Sequence, residues 1–336
     1  MITHELKKIL EAYEKARSSG KNAVLATVVA LEGSSYRRPG VRMLLFDDGT
    51  MVGAVSGGCV EKEVYRQALS VFETKEPRVM TYDGRYRLGC EGLLYILLEP
   101  FQPPPEVVSK FWKLISQRIS FKVESYFNKE DCSEAKYGSL IRIADEIFPF
   151  RKSYTIPKKA EVFNQWLPPC FRLVIIGAEH DAVQLCAMAA LMGWEVTVIA
   201  NPKEEKTLTD FPGAVHFINS EPESLELKTD QQTAVLLMTH SYVKDLQFLI
   251  ALKEHTPAYF GILGPARRRE KIFNEVLEKC PELSLEFIES ISAPAGLELG
   301  AETPQEIAVS VLSEILAKIN KKPPIFLSEK EGRIHS

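Results

Sequence analysis

Apolar positions recur with two spacings along the chain, and the switches between them outline its elements. Ile2, Leu6, Ile9, Leu10 and Tyr13 fall on one side of an α-helical projection, which predicts an amphipathic helix within residues 1–20. The Val-, Ala- and Leu-rich run at 22–31 and the apolar run at 41–46 predict strands. The second run closes in Asp47-Asp48-Gly49, a hairpin-turn signal, and residues 51–55 continue the sheet. Helical spacing returns over 59–73 through Val60, Val64, Ala68 and Val71, and 93–98 reads as a buried strand.

Pro100, Pro103, Pro104 and Pro105 then form a stiff connector that is expected to end the first unit. Residues 106–116 have helical spacing, 121–127 alternate like a strand, and 148–169 show no clear period. From Phe171 the pattern becomes strand (173–176), Gly177, helix (182–192), Gly193 and strand (195–199), a βαβ unit. Strands at 234–238 and 258–263, each followed by a helical stretch, extend it into an open parallel sheet. Thr303, Pro304 and Glu306 give the last helix a capping-box start, and 321–336 reads as a loose tail. The expected organisation is an α/β domain at 1–100, a connector with an additional helix and strands at 101–169, a Rossmann-like parallel-sheet domain at 170–320 and the tail.

Composition narrows the function classes. With 336 residues, 45% hydrophobic and 26% charged, the chain is globular in type and long enough for two cores. Its 41 basic and 45 acidic residues argue against a general nucleic-acid binder. The first 20 residues lack a signal-type apolar core and no apolar run approaches the roughly 20 residues of a membrane span, so a cytoplasmic protein is expected. Six cysteines, at 59, 90, 132, 170, 186 and 280, include no CxxC, which weakens iron-sulfur and structural zinc readings. A complete multi-cofactor electron-transfer hydroxylase is not expected either.

Five segments concentrate chemistry. Residues 32–40, with Ser34, Ser35, Arg37 and Arg38, offer hydroxyls and guanidinium forks suited to an oxyanion, with Arg42 close by; a solvated hairpin is the alternative. In Ser56-Gly57-Gly58-Cys59-Val60-Glu61, accessible amides and a helix start favour an anion and lower a thiol pKa, against a small buried residue as the alternative for Cys59. Leu88-Gly89-Cys90-Glu91-Gly92 brackets a second cysteine with glycines, whereas Cys186 reads as core packing. Gly177-Ala178-Glu179-His180 stands where a dinucleotide fold places its phosphate loop, but Glu179 replaces the second glycine. Asn201 stands where an acidic residue would hold a ribose, so ordinary NAD(P) or nucleotide binding is opposed. Arg267-Arg268-Arg269 lie at a strand-to-helix junction, where one or two of them can face a single site, and His240 lies on the same edge.

In EGSSYRRPGVRM (32–43), VSGGCVEKEV (55–64), LGCEG (88–92), MTHS (238–241), GILGPARRR (261–269) and PAGLELGAETPQEIA (294–308), taken in order, the chain resembles the XdhC/CoxI family of xanthine and carbon monoxide dehydrogenase maturation factors. The resemblance spans nearly the whole chain. It implies an N-terminal CoxI-type α/β domain and a C-terminal Rossmann-like domain. It also implies a chaperone that binds molybdenum cofactor (molybdopterin), supports its sulfuration with a cysteine desulfurase and passes it to a molybdenum hydroxylase client, commonly as a homodimer. On that basis Ser34, Ser35, Arg37, Arg38, Gly57, Gly58, Glu61, Gly177 and His180 are expected to meet the cofactor. Cys59, with Cys90, is expected beside its molybdenum. Two departures from the family pattern, Glu91 and Glu179 where glycine is usual, bear on both turns. An NAD(P)-dependent oxidoreductase and a thiol redox enzyme are the competing readings.

Overall fold

The computed structural model describes residues 3–33, 38–56, 58, 60–84 and 92–331, which divide into two compact units, Met1–Cys170 and Phe171–Ser336. Unit 1 opens with α1 (Thr3–Arg17), which buries Leu6, Ile9, Leu10 and Tyr13 as the helical spacing requires. A five-stranded antiparallel sheet follows. It comprises β1 (Ala23–Glu32), β2 (Arg42–Phe46), β3 (Met51–Gly53), β4 (Arg78–Asp83) and β5 (Leu93–Pro100), in the order β3-β2-β1-β5-β4. Alternation along β1 sorts its two faces. Ala23 and Leu25 pack with α1, while Val24, Ala26 and Val28 pack with Val64, Ala68 and Val71 of α2 (Glu61–Thr74). The expected hairpin joins β2 to β3, with Gly49 at φ +87°.

The proline-rich stretch does not end this unit, which corrects the expectation of a boundary near residue 100. Pro104 and Pro105 set the entry to α3 (Pro105–Ser116), since a fixed φ suits the first helical position. Its Val108, Phe111 and Leu114 share one hydrophobic cluster with Leu6, Leu10 and Leu25. A second antiparallel sheet adds β6 (Phe121–Phe127), β7 (Gly138–Ile143), β8 (Glu146–Pro149) and β9 (Glu161–Leu167), ordered β8-β7-β6-β9. Phe121, Val123, Ile141 and Leu167 enter the same cluster. The Thr3 hydroxyl donates to the Pro168 carbonyl, so the first helix of the unit is fastened beside its last strand.

Unit 2 is a six-stranded, wholly parallel sheet of β10 (Arg172–Ile176), β11 (Glu195–Ala200), β12 (Ala214–Asn219), β13 (Thr233–Leu237), β14 (Tyr259–Ile262) and β15 (Ile291–Ser292). The order is β12-β11-β10-β13-β14-β15, the doubly wound arrangement whose direction reverses between β10 and β13. Leu173 and Ile175 face the cluster of α4 (His180–Leu191) and α8 (Pro304–Ile319); Val174 and Ile176 face that of α5 (Tyr242–Ala251) and α6 (Ala266–Lys279). All four are fully buried, and covering both faces explains why the strand reads as an unbroken apolar run. The capping box of α8 forms as expected, with Thr303 Oγ1 accepting from the Glu306 amide and the Glu306 carboxylate accepting from the Thr303 amide. Residues 294–297 dock this helix: Glu314 accepts from the Gly296 amide, the Tyr259 hydroxyl and the Ser292 hydroxyl.

Candidate functional site

Strand register brings the described residues that flank three chemistry-bearing segments of unit 1 to one end of its first sheet. Glu32 at the end of β1 and Asp83 at the end of β4 both stand opposite Leu93 at the start of β5, while Gly53 at the end of β3 stands opposite Met43 in β2. The described residues that flank the segments therefore share that end: Gly33 and Arg38, Ser56, Gly58 and Val60, and Gly84 and Gly92. The expectations for Ser34, Ser35, Arg37, Gly57, Cys59 and Cys90 lie outside the described residues. Arg38 is exposed.

Glu61 is engaged within the chain. Its carboxylate accepts from the Ser56 amide at 2.7 Å and from the Ser56 hydroxyl at 2.9 Å, while Ser56 Oγ accepts from the amides of Gly58 and Val60 at 3.3 Å each. Ser56 and Glu61 thus clasp the glycine segment at the start of α2. Burial pushes the Glu61 carboxyl up, and the opposing hydrogen bonds from the Ser56 amide and hydroxyl hold it below its ordinary value. Gly58 is exposed with φ +118°, and among the described residues nothing comes within 4 Å of where a Cβ would stand. A planar or anionic ligand can therefore approach this backbone closely, as only glycine permits.

Arg42, anticipated as a neighbour of the anion loop, is a core residue instead, 1% exposed. Its Nη1 donates to the Gly40 carbonyl at 3.0 Å and to Gln165 Oε1 of β9. Burial lowers its pKa to about 10 against the opposing field of Glu99, itself fully buried and accepting from the Ser139 amide at 2.8 Å. The guanidinium holds the two sheets of unit 1 together, and an apolar-looking strand start gives no sign of that.

In unit 2 the sequence-marked residues converge at the carboxyl edge of the parallel sheet, where folds of this order place ligands. Gly177 has φ +134°, and a Cβ there would stand 2.3 Å from the Met238 carbonyl, so glycine is required for β10 and β13 to end side by side. His180 is exposed at the first position of α4. The usual phosphate position is occupied by the chain's own charges. Glu179 stands at the helix N-cap, Asp181 in the first turn, and the Lys206 ammonium donates to the Ala178 carbonyl. His240, in the left-handed region at φ +55°, bridges the β10–β13 crevice with its Nε2 3.4 Å from the Asp181 carboxylate.

Behind His240, Asp245 is completely buried and accepts from the Thr239 hydroxyl at 2.6 Å and its amide at 3.2 Å, while Arg268 pairs with the other carboxylate oxygen. Burial raises the Asp245 pKa, opposed by the Thr239 bonds and by Arg268. Of the three adjacent arginines, Arg267 faces a cleft that Arg268 also lines, and Arg269 turns away to donate to the Ala293 carbonyl at 3.1 Å. That agrees with the limit of one or two per site. Asp181, Lys206 and Asp245 were not legible as site residues, because their pairings join residues far apart in sequence; nor was Lys271, which lines the cleft beside Arg267. Cys186 is core, as expected: burial raises its thiol pKa to about 11. Among the described residues no cluster of three or more His, Cys, Asp or Glu side chains is placed to hold a metal ion, and no helix is long and apolar enough to cross a membrane.

Two family models match along the chain in the order of the two units. The XdhC and CoxI family model covers residues 16–83, and the XdhC Rossmann domain model covers 173–315. The chain belongs to the XdhC and CoxI family. Among its relatives is a protein of Bacillus subtilis (strain 168) named as a probable xanthine dehydrogenase subunit, 28% identical over 88% of this chain and 93% of that protein. The Molybdenum cofactor insertion chaperone PaoD of Escherichia coli (strain K12) is 26% identical over 94% of this chain and 89% of its own length. A crystal structure from Bacillus halodurans, described as a xanthine dehydrogenase, superposes with a TM-score of 0.77 at 25% identity, covering 96% of this chain and 98% of that one. The Rossmann-like parallel sheet of unit 2 is thus the part matched by the XdhC Rossmann domain model, and the XdhC and CoxI match falls within unit 1.

Proposed function

We propose that this protein is a maturation factor that binds molybdenum cofactor, supports its sulfuration and delivers it to an apo-hydroxylase of the xanthine dehydrogenase type. The observation that carries the reading is the near full-length likeness to a molybdenum cofactor insertion chaperone, in which neither unit is left over. The local chemistry agrees. The cofactor is an anionic pterin carrying a phosphate and a dithiolene-bound metal. At the shared end of the first sheet of unit 1, the open backbone of Gly58, the Ser56–Glu61 clasp and the exposed Arg38 fit an anionic, planar ligand.

In this reading Gly57, Gly58, Ser34, Ser35, Arg37 and Arg38 hold the cofactor's oxygen and phosphate groups, and Cys59, with Cys90, stands beside the molybdenum. Glu61 shapes the loop rather than touching the ligand. Gly177 and His180, in unit 2, are assigned to the same cofactor. A cysteine desulfurase and a hydroxylase client are the expected partners, a cytoplasmic homodimer the expected form. Purification with anaerobically supplied molybdenum cofactor, followed by assay of bound metal and pterin, tests the proposal. Wild type is expected to retain both together and Cys59→Ala to lose metal retention and client activation. Failure of wild type to retain either overturns the reading, and unchanged retention by Cys59→Ala removes the cysteine from it.

A further inference from the structure

The cleft at the carboxyl edge of unit 2 encloses about 590 Å³ and is lined by His240, Tyr242, Arg267, Arg268 and Lys271. Three acids near it are already engaged. Asp181 faces His240, and Asp245 holds Arg268; Glu275 accepts from the Tyr242 hydroxyl at 2.7 Å and lies 3.6 Å from Lys279. Arg267 and Lys271 are left over. They stand four residues apart on one face of α6, and among the described residues neither has a carboxylate or carbonyl partner. Gly264, at φ +134°, leads into the amino end of that helix, whose first turn carries Arg267 and Arg268 of the cleft lining.

We infer that this cleft is a binding site for a phosphate or pyrophosphate group, held by Arg267 and Lys271 and positioned one strand beyond the place where a dinucleotide fold ordinarily takes it. The ordinary position carries Glu179 and Asp181, whose charges repel such a group. The relocated site has the opposite sign: two uncompensated cations, one with a planar donor fork suited to phosphate. The Asp245–Arg268 pair is its floor, fixing the Thr239–Ser241 turn so that His240 and Tyr242 line one wall. The left-handed backbone of His240 is the kind of strained conformation that surrounding structure must hold in place, and the Thr239–Asp245 bonds do so. The inference does not rest on the maturation reading.

Calorimetric titration of the full chain with inorganic pyrophosphate, and separately with ADP, tests it without molybdenum. Saturable pyrophosphate binding that weakens at least tenfold in Arg267→Ala/Lys271→Ala, and is unchanged in Lys279→Ala just outside the cleft, supports the site. ADP binding more than tenfold tighter than pyrophosphate identifies a nucleotide as the source of the phosphate; equal affinity identifies a phosphate carried by another molecule. Both exchanged side chains are exposed, so circular dichroism is expected to show the native fold. Absence of saturable pyrophosphate binding by wild type, or binding that survives the double exchange, overturns the inference.

Discussion

The Asp245 carboxylate on α5 and the Arg268 guanidinium on α6 meet at the carboxyl edge of the parallel sheet, with the carboxylate wholly removed from solvent and its second oxygen bonded to Thr239. Two helices and a strand-end turn are joined through one side chain. Removing one partner of a buried pair leaves the other charge desolvated and unanswered, whereas replacing both need not. Asp245→Ala is expected to lower the unfolding free energy by about 3 kcal/mol, and Asp245→Asn/Arg268→Met to recover much of the loss. Urea denaturation of the three proteins checks this; equal stability of Asp245→Ala and wild type would count against it.

The Glu124 carboxylate of β6 accepts two bonds of 2.7 Å from Arg142 on β7, one of 2.8 Å from Tyr126, and pairs with Lys122 at 2.6 Å. The Arg142 bonds, opposed by burial, lower its pKa from about 4.5 to about 2. A folded-state pKa below the unfolded one gives stability that is present above the ordinary carboxylate value and is lost as the pH falls toward 2. Wild type is therefore expected to lose about 2 kcal/mol more than Glu124→Gln between pH 5 and pH 2. Parallel pH profiles for the two proteins would refute the assignment.

Gly177→Ala places a methyl group against the Met238 carbonyl, 2.3 Å away, at a backbone φ of +134°. The added carbon forces the ends of β10 and β13 apart, at a cost of about 2 kcal/mol or more. Thermal unfolding is expected to show unit 2 melting earlier. A variant with the wild-type midpoint would mean that these strand ends tolerate separation.

Glu61→Ala removes the acceptor that closes the loop around Ser56. Loss of these bonds is expected to cost about 1 kcal/mol. Hydrogen exchange is the sharper measurement, since the Ser56 and Val60 amides should lose protection while the middle of α2 keeps it. Unchanged protection at Ser56 would show that the clasp does not form in solution.

Local periodicity carried much of the fold. The apolar run at 22–31, the hairpin at 47–49, the βαβ rhythm from Phe171 and the capping box at Thr303 each depend on neighbours in sequence, and each forms. β9 was not legible, because Asn164, Gln165 and Trp166 break the apolar alternation in a strand whose pairing with β6 spans some forty residues. Proline was misread at 100–105 because the same restricted φ serves a linker and a helix start. At the candidate site, glycine marks turns that need a positive φ, at Gly58 and Gly177. The charges that decide each turn's chemistry, Asp181 facing His240 and Asp245 facing Arg268, join residues that only tertiary structure makes adjacent.

The bond from Thr3 to the Pro168 carbonyl sets an order of events during synthesis. The first helix of unit 1 finds its final neighbour, the strand ending at Leu167, only after nearly the whole unit has left the ribosome; until then its apolar stripe has an incomplete partner. Unit 2 has no such wait for its first βαβ turn, whose strands β10 and β11 lie side by side in both sequence and space. The half synthesised first is thus the one whose completion depends on its most distant contact. A nascent chain halted short of residue 168 is expected to expose Leu6, Ile9 and Leu10 to chaperones, and one halted just beyond it to withdraw them.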